Sequence, residues 1–291
     1  MTAIPLPPVL DGFSKLADRY DLLLCDIWGV VHNGVSAHQA ACEALVAYRK
    51  QGGTVVLVSN APRPNREIKV QLAGFGVPAE VYDAVVTSGD VTVTLMAERA
   101  GEALHHIGPA RDLPMFEAIK AKLVDLEAAR YVVCTGLFED EIETPDDYQG
   151  TLKTIRGKKL PMICANPDLV VERGHKIIYC AGAIADAYGV MGGEVTYAGK
   201  PHPPIYEMAM AQAAAIKGKE IAKDRIIAIG DAIRTDVTGA RRIGVAVIFV
   251  SAGIHQGDIH GEDGFIEPTR LDAFLATSDL RPDYVMRYLV W

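Results

Sequence analysis

The chain has 291 residues, 49% of them hydrophobic and 23% charged, with a formal net charge of −8. That is length enough for one large or two ordinary domains with cores of their own, and the composition excludes a disordered chain. The negative balance argues against general nucleic-acid binding, and no apolar run approaches the roughly 20 residues that cross a bilayer, so neither nucleic acid nor membrane is an expected partner. The opening Met1–Pro8 has no basic start and no long apolar segment, which reads as no secretory signal and makes the expected location cytoplasmic. Cys25, Cys42, Cys134, Cys164 and Cys180 are scattered and mostly embedded in apolar runs, the pattern of reduced core residues rather than bridges or a zinc site. An anionic substrate would need local relief from the overall charge, which a divalent cation on carboxylates and a lysine would supply.

Taken in order, residues 12–20 predict a short amphipathic helix feeding the first strand. Asp21-Leu22-Leu23-Leu24-Cys25-Asp26 is an apolar run too short for a helix that ends in a carboxylate, so it reads as a buried parallel strand with Asp26 at its carboxyl end. Such ends are where open α/β sheets bind ligands, although an Asp after a strand is more often a cap or turn former. The turn Asn33–Ser36 leads to a helix over about His38–Lys50, stopped by Gly52-Gly53. A second strand, Thr54–Val58, ends in Ser59-Asn60-Ala61-Pro62-Arg63-Pro64, with a helix starting near Pro64. A hydroxyl and free N–H groups there form an anion cradle, or Ser59 or Asn60 simply caps the helix. The run Ala84–Ser88 is a third strand, followed by a helical stretch to Ala100.

Beyond it the texture changes, with charge clusters at Glu139–Glu141 and Lys158-Lys159 and short strands at Tyr131–Cys134 and Met162–Ala165. Residues 89–192 are therefore read as an inserted α/β domain with a return hinge at Met191–Gly193, and residues 1–88 and 193–291 as the core. Ala198-Gly199-Lys200-Pro201 precedes a helix over Ile205–Ile216, then comes a strand Arg225–Gly230 ending at Asp231. A helix over Ala232–Gly244 carrying Asp236, a strand Val245–Val250 and a loop Ser251–Gly264 complete the pattern. Strands alternating with helices imply a Rossmann-like, doubly wound parallel sheet. A nucleotide-binding oxidoreductase is disfavoured, because no Gly-x-Gly-x-x-Gly turn follows the first strand.

Four stretches, Asp26-Ile27-Trp28-Gly29-Val30, Val58-Ser59-Asn60, Gly199-Lys200-Pro201 and Gly230-Asp231-Ala232-Ile233-Arg234-Thr235-Asp236, resemble in order the motifs of the haloacid dehalogenase superfamily. With the long insert between the second and third, the chain is similar to the class IIA, NagD-like and p-nitrophenylphosphatase-like subclass over nearly its whole length. The resemblance implies a core with an inserted α/β cap domain and a Mg²⁺-dependent phosphatase acting on a small phosphorylated metabolite through an aspartyl-phosphate. It makes Asp26 the nucleophile and gives Mg²⁺ the carboxylates of Asp26 and Asp231 and the main-chain carbonyl of Trp28. Lys200 would hold the nucleophile and neutralise phosphate charge; Ser59 and the Asn60 N–H would bind a phosphoryl oxygen; Asp236 would orient a water or Lys200 from outside the ion's ligands.

One position departs from the family, whose phosphatases usually carry a second Asp, acting as acid and base, two residues after the nucleophile. Here that residue is Trp28, and an indole has no titratable proton near neutrality. The options are another donor, His32 being the nearest titratable candidate; a leaving group acidic enough to depart unaided; or a non-catalytic, regulatory binder of a phosphorylated metabolite. Asn166 and Asp168 of Ala165–Asp168, together with His32 and Arg63, are candidate substrate contacts, though Asn-Pro-Asp is equally a plain turn. Cys180–Ala183 reads as backbone packing, His105-His106 as surface, and His255, His260, Glu262 and Asp263 as a solvated loop rather than a metal site. An exposed cap could pair two copies as a homodimer, but no apolar stripe demands it.

Overall fold

The computed structural model describes residues 5–173 and 176–291, so the reading of the opening segment falls partly outside it. The chain forms two compact units, one of residues up to Ser59, Lys69–Val86 and Tyr206–Trp291, the other of Asn60–Ile68 and Thr87–Ile205.

The first unit is built on a six-stranded sheet in the order Tyr284–Met286, Ala246–Val250, Ile226–Gly230, Leu22–Asp26, Thr54–Ser59 and Ala84–Thr87. Leu22–Asp26 pairs parallel with Ile226–Gly230 on one side and with Thr54–Ser59 on the other. Every residue of Leu22–Asp26 and of Ile226–Gly230 is buried, which is why these strands read as continuous apolar runs instead of alternating ones. Helix Gln39–Lys50 buries Ala41, Cys42, Ala44, Leu45 and Tyr48, the spacing of a single helical face, and carries Arg49 and Lys50 in its last turn, where cations suit the dipole.

Two local expectations are corrected. Residues 12–20 bury Phe13, Leu16, Ala17 and Tyr20, the face that the periodicity predicted, but as two single 3-10 turns, Phe13–Lys15 and Ala17–Arg19. The N–H of Phe13 bonds the carbonyl of Val290 at 2.8 Å, and inside the segment the N–H groups of Leu16, Arg19 and Tyr20 reach the carbonyls three residues back, Phe13, Leu16 and Ala17. The stretch after Asp231 opens as a π-helical turn, Ile233–Val237, and becomes α-helical only over Thr238–Ile243, closing on Gly244 in the left-handed region.

The second unit has its own parallel sheet, ordered Val195–Tyr197, Met162–Cys164, Tyr131–Cys134, Ala103–Ile107 and Lys122–Leu123. Its core packs Val132, Cys134, Leu152, Ile155, Met162 and Ile184 on one face, and Leu104, Phe116, Tyr131 and Val133 on the other. A separate antiparallel pair, Val170–Arg173 with Lys176–Tyr179, accompanies it. Helix Ser88–Ala97 is fixed at its start by a reciprocal capping box between Thr87 and Asp90. The expected strands at 131–134 and 162–165 are present; Ala103–Ile107 was not anticipated, because His105 and His106 break its apolar run.

His105 and His106 are accordingly half-buried strand residues and not surface ones, with His105 Nδ1 3.1 Å from the Val124 carbonyl and His106 Nε2 2.8 Å from Thr135 Oγ1. All five cysteines are buried and unbridged, as their apolar settings implied. Among the described residues no helix is long and apolar enough to cross a membrane.

Candidate active site

From Leu22–Asp26 the first unit's sheet grows in both directions: the next strands in sequence lie to one side, and the three later ones to the other. The order therefore reverses between Leu22–Asp26 and Ile226–Gly230, and crevices at the carboxyl ends beside such a reversal are where open α/β sheets bind ligands. Cys25 is in register with Ile229, so Asp26 and Asp231 leave neighbouring strand ends.

Asp236 joins them. One carboxylate oxygen from each of Asp26, Asp231 and Asp236 lies within 4.8 Å of the others. The three residues are only 9%, 5% and 3% exposed. Carboxylates gathered so closely and so far from water repel one another unless a cation offsets them, and an all-oxygen set of this hardness suits Mg²⁺. The donor chemistry fits the ion that the sequence resemblance implies.

Local structure aims each group. Asp26 Oδ1 accepts the Ile27 N–H at 2.8 Å, and Asp231 Oδ2 accepts the Ile254 N–H at 3.1 Å. Asp236 Oδ2 accepts from the Ala232 N–H and the Thr235 hydroxyl, both at 3.3 Å, inside the π turn. Asp231 is also wedged between two glycines: a Cβ on Gly29, whose φ is +79°, or on Gly253 would stand 2.0 Å from its Oδ2. Gly253 and Ile254 were not singled out in the sequence; a Gly shortly after a strand is too common a signal. Ser59 ends the adjacent strand, one residue beyond Val58, the partner of Asp26 in register.

Trp28 is half-buried, its ring over Gly34 and edge-on to His32 at 5.2 Å. His32 packs in turn on Phe75 at 4.8 Å, and its Nδ1 accepts the Gly34 N–H at 3.0 Å. Burial above all, with the charge of His38, pushes His32 down to about 4. At 2% exposure His32 packs inside this turn and holds it through its bond to Gly34.

The remaining candidates belong to the second unit. The Asn60 carboxamide faces the Lys200 backbone, its Oδ1 taking the Lys200 N–H at 2.7 Å and its Nδ2 donating to the Lys200 carbonyl at 3.1 Å. The same Nδ2 donates to Asp168 Oδ1 at 2.9 Å, and Asn166 Oδ1 accepts the Asp168 N–H at 3.1 Å. Asn166 thus shapes the turn, and Gly182 lets a helix start press on it, a Cβ there falling 2.4 Å from the carbonyls of Pro167 and Asp168. Arg63 is half-buried, and its charge reaches Asp112, whose carboxyl is pushed up by burial against the pull of Thr135, Arg111 and Arg63.

The expectation of a solvated last loop is corrected at His260, which is 5% exposed. His260 is buried with Nε2 2.9 Å from Ser251 Oγ, and His255 packs on Phe274 at 4.6 Å. Among the described residues, the three aspartates form the one grouping of His, Cys, Asp or Glu suited to hold a metal.

Residues 23–122 match a family described as haloacid dehalogenase-like hydrolase, and residues 197–289 match a HAD-hydrolase-like family. A crystal structure of a hydrolase of the haloacid dehalogenase-like family from Brucella suis 1330 is 44% identical, with 98% of this chain and 100% of that chain covered and a TM-score of 0.84. The 5'-nucleotidase YutF of Bacillus subtilis (strain 168) is 23% identical over 255 residues, 86% of this chain and 94% of the relative. The ribonucleotide monophosphatase NagD of Escherichia coli (strain K12) is 24% identical over 243 residues, 81% and 89% respectively.

Proposed function

The chain belongs to the haloacid dehalogenase-like family of hydrolases, in its NagD-like class IIA branch, and we propose that it cleaves the phosphomonoester of a small metabolite with Asp26 as nucleophile and Mg²⁺ as cofactor. The observation that carries this reading is the trio of buried carboxylates at the sheet's point of reversal. Asp26, Asp231 and the Trp28 carbonyl would hold the ion, with Asp236 steadying them. When bound, Mg²⁺ offsets the repulsion between an anionic nucleophile and an anionic phosphate and draws charge from the phosphoryl oxygens.

The chain's own residues do the rest. An oxygen of Asp26 bonds to phosphorus as the bond to the leaving oxygen breaks; water then cleaves the aspartyl-phosphate and releases inorganic phosphate. The Ile27 N–H fixes the rotamer of the attacking carboxylate. Ser59 and the Asn60 N–H would take a phosphoryl oxygen, and Lys200 would add positive charge.

Trp28 supplies no proton, so the reaction is fastest where the leaving oxygen departs as a stable anion. The same residue favours a second reading, a binder of a phosphorylated metabolite that does not turn it over.

Phosphate release from a panel of phosphomonoesters with Mg²⁺ tests the first reading, and the relatives' names put nucleoside monophosphates on that panel. Asp26→Asn should lower kcat by on the order of 10³-fold or more, and chelation with EDTA should abolish release until Mg²⁺ is restored. No release from any ester would sink it. A fluoride analogue of the acylphosphate distinguishes the two, since a binder would be protected by ligand yet form no analogue complex.

A further inference from the structure

We infer that the Asn60 side chain is a positioning residue for Lys200, with Asp168 keeping its carboxamide the right way round; this rests on the phosphatase reading above. A carboxamide offers an acceptor and two donors. Asn60 spends the acceptor on the Lys200 N–H at 2.7 Å and divides its Nδ2 between the Lys200 carbonyl at 3.1 Å and Asp168 Oδ1 at 2.9 Å. Both main-chain polar groups of one residue are thereby read by a single side chain, which determines where the Lys200 Cα sits and how its side chain departs. Asn60 and Lys200 are each only 4% exposed, so a lost bond would not be replaced by water.

Asp168 determines the orientation. A carboxylate only accepts, so it can face Nδ2 and not Oδ1, and a flipped amide would set two acceptors against each other at that point and two donors at the Lys200 N–H. Asp168 is itself held by the Asn166 Oδ1 bond to its N–H and by the helix start at Gly182, packed on the Pro167 and Asp168 carbonyls. Asn166 and Asp168 then act through Asn60 and not on substrate. A lysine that stabilises charge developing on a phosphoryl group must be held to within fractions of an ångström, and a small misplacement costs rate more than affinity.

The test uses the full chain with Mg²⁺ and p-nitrophenyl phosphate. Asn60→Asp sets two carboxylates together and removes the donor to Lys200, and should lower kcat/KM by about 100-fold, mostly in kcat. Asp168→Asn alone lets position 168 donate as well as accept, which loosens the orientation of the Asn60 amide, and should lower kcat by about threefold to tenfold. Added to Asn60→Asp it removes the repulsion, restores a donor at position 168 and should recover about tenfold, a rescue that a merely structural role does not predict. Thermal melts accompany each variant. If Asn60→Asp does not fold, Asn60→Ser, whose hydroxyl is too short to span both Lys200 groups, should fold and lose about tenfold.

Activity within threefold in Asn60→Asp or Asn60→Ser, or a double variant no better than Asn60→Asp with unchanged melting, would overturn the inference alone. An unsubstituted protein that releases phosphate from no ester would overturn the phosphatase reading, and this inference with it.

Discussion

The family resemblance implies an acid–base Asp where this chain has Trp28, whose ring is engaged with His32 and Gly34 in the loop after Asp26. Replacing it should therefore alter which esters are cleaved. Trp28→Asp is expected to raise kcat on alkyl phosphates by roughly tenfold or more, part of the 10²–10⁴-fold that general acid–base help provides, with a smaller change for p-nitrophenyl phosphate. Equal gains, or none, across a series of leaving groups would show that proton donation is not what limits turnover. Asp26 and Asp231 were legible at their strand ends because each closes an apolar run of a length only a strand explains. Asp236 was expected beside the other two only through the family resemblance, since nothing in its local sequence shows the π turn in which its carboxylate is held. For His32 the sequence shows a titratable ring beside a motif, but not its burial or its bond to the Gly34 N–H.

At the scale of elements, the loops beyond the strand ends matter more than the strands. Gly29 and Gly253 come from two such loops and close on Asp231 from both. Gly29→Ala adds a methyl 2.0 Å from Asp231 Oδ2 and strains a backbone at φ +79°, whereas Gly253→Ala makes the same approach without a positive φ. Both should raise the Mg²⁺ concentration needed for half-maximal phosphate release, by roughly 10–100-fold as for other losses of support around a metal. Gly29→Ala should also lower the thermal midpoint further than Gly253→Ala. An unchanged Mg²⁺ requirement in both would place the ion elsewhere. The amphipathic spacing of residues 13–20 shows the converse limit: periodicity named the buried face, yet Leu16, Arg19 and Tyr20 bond three residues back in separate turns instead of forming an α-helical ladder.

For the molecule as a whole, burial leaves a signature in pH. His32 and His106 are held down to about 4, chiefly by desolvation, while an unfolded histidine titrates near 6.5. Between those values the unfolded chain binds more protons than the folded one, so stability present above about pH 6.5 is lost as pH falls toward 4. The loss is at most about 3 kcal/mol for each ring at 1.36 kcal/mol per pH unit. Urea midpoints should fall over that window, and His106→Gln should flatten the decline; a midpoint level from pH 7 to 4.5 would contradict the burial of both rings.

The amino-acid sequence by itself determined the class of fold, the positions of its central strands along the chain and the two carboxylates at their ends, because continuous apolar runs bounded by Gly, Asp and Pro admit few other structures. Only the tertiary structure decided that Asp236 closes on Asp26 and Asp231, that Asn60 reaches Asp168 across 108 positions of chain, and that Gly253 makes room for Asp231. Those are contacts between segments whose local sequences carry no trace of one another, and packing alone brings them together.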